Sequence, residues 1–266
     1  TVDLTQRNFL GRGWEVAVKF RGGARGTLGT ISFTEPWLFD QPLSAGADLF
    51  HTRRIFDDYT QESRGGDFRF SHPFLEFARW YLSYRLTSDT ISDLGGEAAV
   101  SLASERGERV TSAVSGSVSR DTRDNVFTPS KGNYATIGTD VAGLGGDSKF
   151  VKFSGSMSQF VPIWFNHVLA GRAEAGYVLG YAGQEVPLFE RFFLGGPNSV
   201  RSFKFRGISP VDENGVKTGG TSEVLGSLEY VIPLPFNFRI AGFFDVGNVY
   251  GFGTKFDLSD LKYAAG

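Results

Sequence analysis

The sequence predicts an all-β chain: a transmembrane antiparallel β-barrel with about 12–13 strands present. Three observations carry that expectation. Apolar and polar residues alternate with period two in segment after segment. Short connections with turn chemistry alternate with longer, more polar ones. Aromatic residues and prolines gather at the short-turn ends (Trp37, Phe39, Phe74, Trp164, Phe165, Phe236), as they do in a girdle at a membrane interface.

The segments follow in order at 2–9, 14–22, 26–34, 43–55, 60–71, 77–88, 109–120, 133–142, 149–161, 167–180, 222–232 and 238–250, and a thirteenth begins near Leu261. In the second, Trp14, Val16, Val18 and Phe20 share one face, and Glu15, Ala17, Lys19 and Arg21 the other. Phe68 and Phe70 oppose Asp67, Arg69 and Ser71; Trp80, Leu82, Tyr84 and Leu86 oppose Arg79, Ser83 and Arg85. Later, Val151, Phe153 and Met157 oppose Lys152 and Ser154, and Leu169, Ala173 and Tyr177 oppose Arg172 and Glu174. Near the end, Phe238, Ile240, Phe244 and Val246 oppose Arg239 and Asp245. Short turns are expected at Leu10–Gly13, Phe39–Pro42, His72–Leu75, Pro162–Asn166 and Pro233–Pro235. Residues 95–106 are the one stretch that reads as a short helix. A soluble sandwich or lipocalin-like barrel alternates in the same way, with the apolar face inward. The Arg, Glu, Asp and Ser content of the polar face suits a hydrated lumen instead.

Composition excludes several functions. The 266 residues contain no Cys, which removes disulfides, thiolate metal sites and cysteine nucleophiles, and three separated His without zinc-binding spacing. A net charge of −2 argues against a nucleic-acid partner. Gly is raised to 35 residues and aromatics to 15%, too many aromatics for disorder. No apolar run is long enough for a transmembrane helix, so a membrane-spanning form has to be a barrel. The chain begins at Thr1 without a signal-like segment and ends in what reads as the middle of a strand. It is therefore expected to be an excerpt of a longer protein.

Residues 183–220 form one long connection, far above ordinary loop lengths, and its centre is apolar and aromatic (Phe189, Phe192, Phe193, Leu194, Val200, Phe203, Phe205). Such groups are expected to bury inside the barrel. Arg201 would then need a counter-charge. Glu229 and Asp245 face the lumen on adjacent strands by their alternation, and a guanidinium can bridge two carboxylates. A solvated Arg201, with the two acids lining a wet pore, satisfies the spacing equally.

At these residues the chain resembles the BamA-type outer-membrane assembly factors. Gly195 and Gly196, followed by Val200, Arg201, Ser202 and Phe203, resemble the "GG…VRGF/Y" motif of the family's sixth loop. The stretches Glu35–Phe39 (EPWLF), Asp121–Asn125 (DTRDN) with Pro129 and Gly132, and Phe243–Val249 (FFDVGNV) resemble three further family segments in the same order. The resemblance implies a sixteen-stranded barrel following periplasmic POTRA domains. It implies folding and insertion of β-barrel clients into the bacterial outer membrane without ATP or cofactor, through membrane thinning and edge-strand templating. It also implies contact with outer-membrane lipid, unfolded clients and accessory periplasmic lipoproteins, and it maps the loop arginine and its two acids onto Arg201, Glu229 and Asp245. Two departures stand out. Ser202 replaces the motif's usual Gly, and a Ser held at positive φ would be strained. The first strand, most of the fourteenth and the last two are expected to be missing, as are the POTRA domains.

Four functions compete: an insertase, a two-partner-type secretion pore of the same superfamily, a diffusion porin, and an enzyme built on a barrel. A lumen-docked aromatic loop disfavours the porin. The enzyme lacks a GxSxG elbow and any grouping of His51, His72 and His167. Asp121, Arg123 and Asp124 read as a salt-bridged strand end rather than a metal site. EPWLF and DTRDN favour the insertase.

Overall fold

The computed structural model describes residues 1–253 and 257–266. Among them, thirteen strands form one sheet, each paired antiparallel with its neighbours in the chain. They are β1 (Val2–Phe9), β2 (Trp14–Gly23), β3 (Gly26–Glu35), β4 (Ser44–Ile55), β5 (Thr60–Leu75), β6 (Ala78–Ser92) and β7 (Gly107–Asp121). They continue as β8 (Gly132–Gly146), β9 (Phe150–Pro162), β10 (Val168–Gly180), β11 (Ser222–Pro233), β12 (Arg239–Tyr250) and β13 (Lys262–Ala265). No β1–β13 pairing occurs among the described residues. A short helix, α1 (Ala98–Ser101), and a 3-10 turn at Ala103–Glu105 occupy the stretch read as helical.

The orientation of the alternating face separates a membrane barrel from a soluble one. On β6, Leu82 and Leu86 are exposed, while Thr87, Asp89 and Ile91 are buried. Phe68 on β5, Phe153 and Met157 on β9, and Ile240 and Phe244 on β12 are exposed in the same way. The strands thus turn their apolar side chains outward, as lipid requires, which a soluble sandwich or lipocalin barrel does not. The register keeps this parity across neighbours: Phe68 lies opposite Ala47 and Tyr84, and Gly66 opposite Leu49 and Leu86. A one-residue slip would exchange the two faces, so the lipid boundary itself holds the register.

Two expectations need correction. The segment His72–Leu75 is not a turn. β5 continues through it, with Pro73 opposite Arg79 and Leu75 opposite Ala78 across a bulge. Proline is tolerated there because it sits at an irregular strand end, where a ladder donor is dispensable. Connection lengths also alternate less than expected. At the end away from the aromatic turns, residues 24–25, 56–59 and 147–149 are short links too. Glycines at positive φ, such as Gly143 and Gly146, let β8 twist into its hairpin.

The short turns share a device that alternation does not reveal. Phe39, Phe165 and Phe236 sit in 3-10 turns at φ 58°, 53° and 61°, and their side chains are largely exposed. Bulky residues rarely adopt this conformation. Three separate turns repeat it at the end where the aromatic residues cluster.

Inside the sheet, the buried core is made largely by the connection between β10 and β11. Val186, Phe192, Leu194, Val200 and Ile208 of that connection pack with Phe150, Val178, Leu225 and Val249 from the strands. A second cluster joins Leu188 and Val216 to Tyr59, Ile91, Ala98 and Leu102.

Candidate functional site

The connection spans residues 181–221, a little longer than its sequence limits, and it is folded rather than loose. Isolated bridges pair Phe192 with Gly220, Leu194 with Ile208 and Val211 with Lys217, so the chain doubles back on itself three times. Each bridge satisfies backbone groups that burial would otherwise leave without partners.

Its turn depends on Gly195, Gly196 and Ser199. Gly195 has φ +105°, and a Cβ there would lie 2.4 Å from the Lys204 carbonyl oxygen and 2.9 Å from the Gly207 nitrogen. Gly196 has φ +106° and lies against Phe205. The backbone N–H groups of Gly195 and Val200 both donate to the Ser199 hydroxyl at 2.6 Å. Val200 is fully buried, and Phe203 packs partly buried against the same cluster. Ser202 is exposed and is not among the positive-φ residues, so the strain expected from its replacing glycine does not arise. The positive φ falls instead on Arg206, at 55°. Phe205 was expected inside but is 65% exposed.

The turn delivers Arg201 to the inner wall at β11 and β12. Arg201 Nε and Nη2 donate to Asp245 Oδ2 and Oδ1 at 2.7 and 2.6 Å, a two-pronged pairing with one carboxylate. Its Nη1 donates to Glu229 Oε1 at 2.5 Å, its Nη2 to the Ser227 hydroxyl at 3.1 Å, and its backbone N–H to Asp245 Oδ2 at 3.1 Å. Ser227 in turn donates to Asp245 Oδ1 at 2.7 Å. The guanidinium carbon also lies 3.6 Å from the Phe243 ring centre. Register explains the convergence: Ser227 lies opposite Asp245, and Glu229 opposite Phe243. The four wall groups therefore sit on adjacent, inward positions of two paired strands. Their burial is unequal, for Asp245 is 0% exposed and the Glu229 side chain 36%. Hydrogen bonds to Asp245 first, then to Glu229, hold the guanidinium charge well above the usual arginine range.

Two further anchors were not anticipated. Glu190 accepts from Arg85 Nη2 of β6 at 2.9 Å and from Lys152 Nζ of β9 at 3.3 Å. Arg191 Nη2 donates to Glu105 Oε1 at 2.5 Å, beside α1, and its other nitrogens reach the Val186 and Thr218 carbonyls. Glu105 also accepts from the Leu188 backbone N–H at 3.2 Å. The inward parity of Arg85 and Lys152 was a usable signal: two cations facing the lumen from separate strands call for an acid from the loop.

Asp121, Arg123, Asp124 and the three histidines do not converge on one site. Asp121 pairs with Arg123 at 2.7 Å, while Asp124 accepts from the Ser130 and Lys131 backbone N–H groups and closes the 122–131 turn. His51 contacts Glu62, His72 stacks on Trp80, and His167 Nδ1 lies 2.8 Å from the Tyr230 hydroxyl.

The model of the Omp85 superfamily domain matches residues 8–264. An outer membrane protein assembly factor BamA from Nitratidesulfovibrio vulgaris is 33% identical over 99% of this chain and 34% of its own length. A sorting and assembly machinery component 50 homolog from Mus musculus is 26% identical over 97% of this chain and 55% of its own length. The chain thus spans between about a third and about half of these relatives. In fold it is similar to BamA from Haemophilus ducreyi lacking POTRA domains 1–3, with a TM-score of 0.82 at 23% identity, covering 94% of this chain and 54% of that one. It is less similar to CdiB from Acinetobacter baumannii, with a TM-score of 0.61 at 14% identity, covering 95% of this chain and 46% of that one.

Proposed function

The chain belongs to the Omp85 superfamily, and from that membership we propose that it is the barrel portion of an assembly factor that folds and inserts β-barrel clients in a bacterial outer membrane. The observation that carries this reading is the docked connection. A loop anchored to β11 and β12 through Arg201, and to β6 and β9 through Glu190, occupies the lumen that a diffusion pore would leave open. The relative named as an outer membrane protein assembly factor, at 33% identity over nearly the whole chain, supports it further, as does the sorting and assembly machinery component at 26%.

In this reading the work is physical rather than enzymatic, and no cofactor takes part. The outward apolar face sets the contact with lipid, and thinning of the bilayer beside the barrel lowers the barrier to insertion. Client strands add to an exposed strand edge by β-augmentation, where main-chain hydrogen bonds supply the template. Unfolded clients, outer-membrane lipid and accessory periplasmic lipoproteins are its partners. The docked connection keeps the wall at β11 and β12 rigid while the edge exchanges partners.

Reconstitution of the full-length protein in liposomes tests this against a polypeptide secretion pore of the same superfamily. Faster folding of a urea-unfolded barrel client is the expected outcome. Large ion conductance without any acceleration would overturn the proposal.

A further inference from the structure

We propose that the lumen mouth between the β4–β5 link and the long connection binds a phosphate-bearing anion, held by Arg54, Arg206 and Lys217. The cavity there measures about 590 Å³ and is lined by these three cations together with Phe56, Tyr59 and Phe193. Arg25 also lines it but lies 3.6 Å from Asp57, so that pair cancels and three cations face Asp58 alone.

Arg206 is the central group. Its guanidinium carbon lies 3.4 Å from the Phe193 ring centre and 4.5 Å from that of Phe56, and its Nη1 donates to the Tyr59 hydroxyl at 2.6 Å. Among the described residues this is the one hydrogen bond of a group with five N–H donors, and no carboxylate pairs with it. Burial lowers its pKa, the Tyr59 hydroxyl offsets part of that, and the neighbouring Arg54 adds to the lowering. A desolvated guanidinium without a counter-charge is costly. An incoming anion removes the charge cost and fills the free donors. A phosphate suits the site better than a single carboxylate, because its several oxygens and higher charge match one planar fork and two flanking cations. The aromatic walls suit an apolar or sugar group carried on that phosphate. Free phosphate and a phosphorylated lipid headgroup share this chemistry.

The test uses the full-length protein in maltoside micelles and reads binding by calorimetry, which is independent of any assembly activity. One arm titrates inorganic phosphate. The other adds micelles containing phosphatidic acid, with diacylglycerol micelles as control. Saturable binding of either phosphate probe, weakened roughly tenfold or more by the Arg54→Gln/Lys217→Gln double variant, is expected. Binding of phosphatidic acid alone identifies a lipid headgroup; binding of both identifies a site sized for the phosphate itself. Arg206→Lys, which keeps the charge and loses the fork, is expected to bind at intermediate strength. Absence of binding in both arms, or equal binding by the double variant, would overturn the proposal.

Discussion

Replacing Arg201 by alanine strips Asp245 of its two hydrogen bonds from the guanidinium and leaves the carboxylate with the Ser227 hydroxyl and one backbone N–H. Asp245 is 0% exposed while Arg201 covers it, so its carboxylate has given up bulk solvation for these partners. Removing one partner of a buried pair costs about 3–5 kcal/mol, much of it the penalty of the stranded charge. The Asp245→Ala variant removes that charge, and in the double variant no carboxylate is stranded. The double should therefore cost less than the sum of the singles, with a coupling of about 2–3 kcal/mol. Glu229 is a different case: its side chain is 36% exposed, and water screens the pair. The Arg201–Glu229 coupling should fall below about 1 kcal/mol. Arg201→Lys should not rescue, since an ammonium cannot span both oxygens of Asp245 and reach Glu229 as well. Urea titration of the full-length protein in maltoside micelles, read by tryptophan fluorescence, measures both cycles. Tryptic cleavage at Lys204 and Arg206 reports release of the connection. Additivity of Arg201→Ala and Asp245→Ala within about 0.5 kcal/mol would refute the reasoning, as would equal coupling to both acids.

Gly195→Ala places a Cβ 2.4 Å from the Lys204 carbonyl oxygen at φ +105° and should destabilise the docked turn by about 2 kcal/mol or more, seen as faster tryptic cleavage of the connection. Glu190→Gln leaves Arg85 and Lys152 without their acid and should lower the urea midpoint by an amount equivalent to about 1–3 kcal/mol; no change would mean that the second anchor is idle. The Ser130 hydroxyl and the Ser130 and Lys131 backbone N–H groups hold the Asp124 carboxyl below the usual carboxylate range. Its contribution to the 122–131 turn is therefore complete above the unfolded value near pH 4 and is lost as pH falls toward the lower folded value. The protection of the Ser130 and Lys131 amides from exchange, taken relative to the intrinsic rate at each pH, should be high at neutral pH and fall in acid, and Asp124→Ala should show little protection at any pH.

Strand number and boundaries were legible to within a few residues because period-two alternation is local: each position alternates with its neighbours whatever lies across the sheet. Where proline and turn residues competed with alternation, at His72–Leu75, the turn signal misled, because the partner strand carried the pairing past Pro73. The pairing of Arg201 with Glu229 and Asp245 was half legible. Alternation put both acids on the inner face, and a one-to-one hairpin register placed them close together, but spacing could not exclude a solvated arginine. Glu190 and Glu105 went unseen because a connection of some forty residues has no period to read.

The class of fold, the order of the strands and which face of each strand meets lipid are written in the residue pattern, since these follow from backbone geometry and from the cost of placing charge in a bilayer. Which loop residue meets which wall emerges only in the folded chain. The docking of Arg201, the bridge of Glu190 to β6 and β9, and the aromatic cage around Arg206 join residues up to 147 positions apart. Such contacts depend on how a non-repeating chain folds back inside the curved sheet, and no local pattern encodes that path.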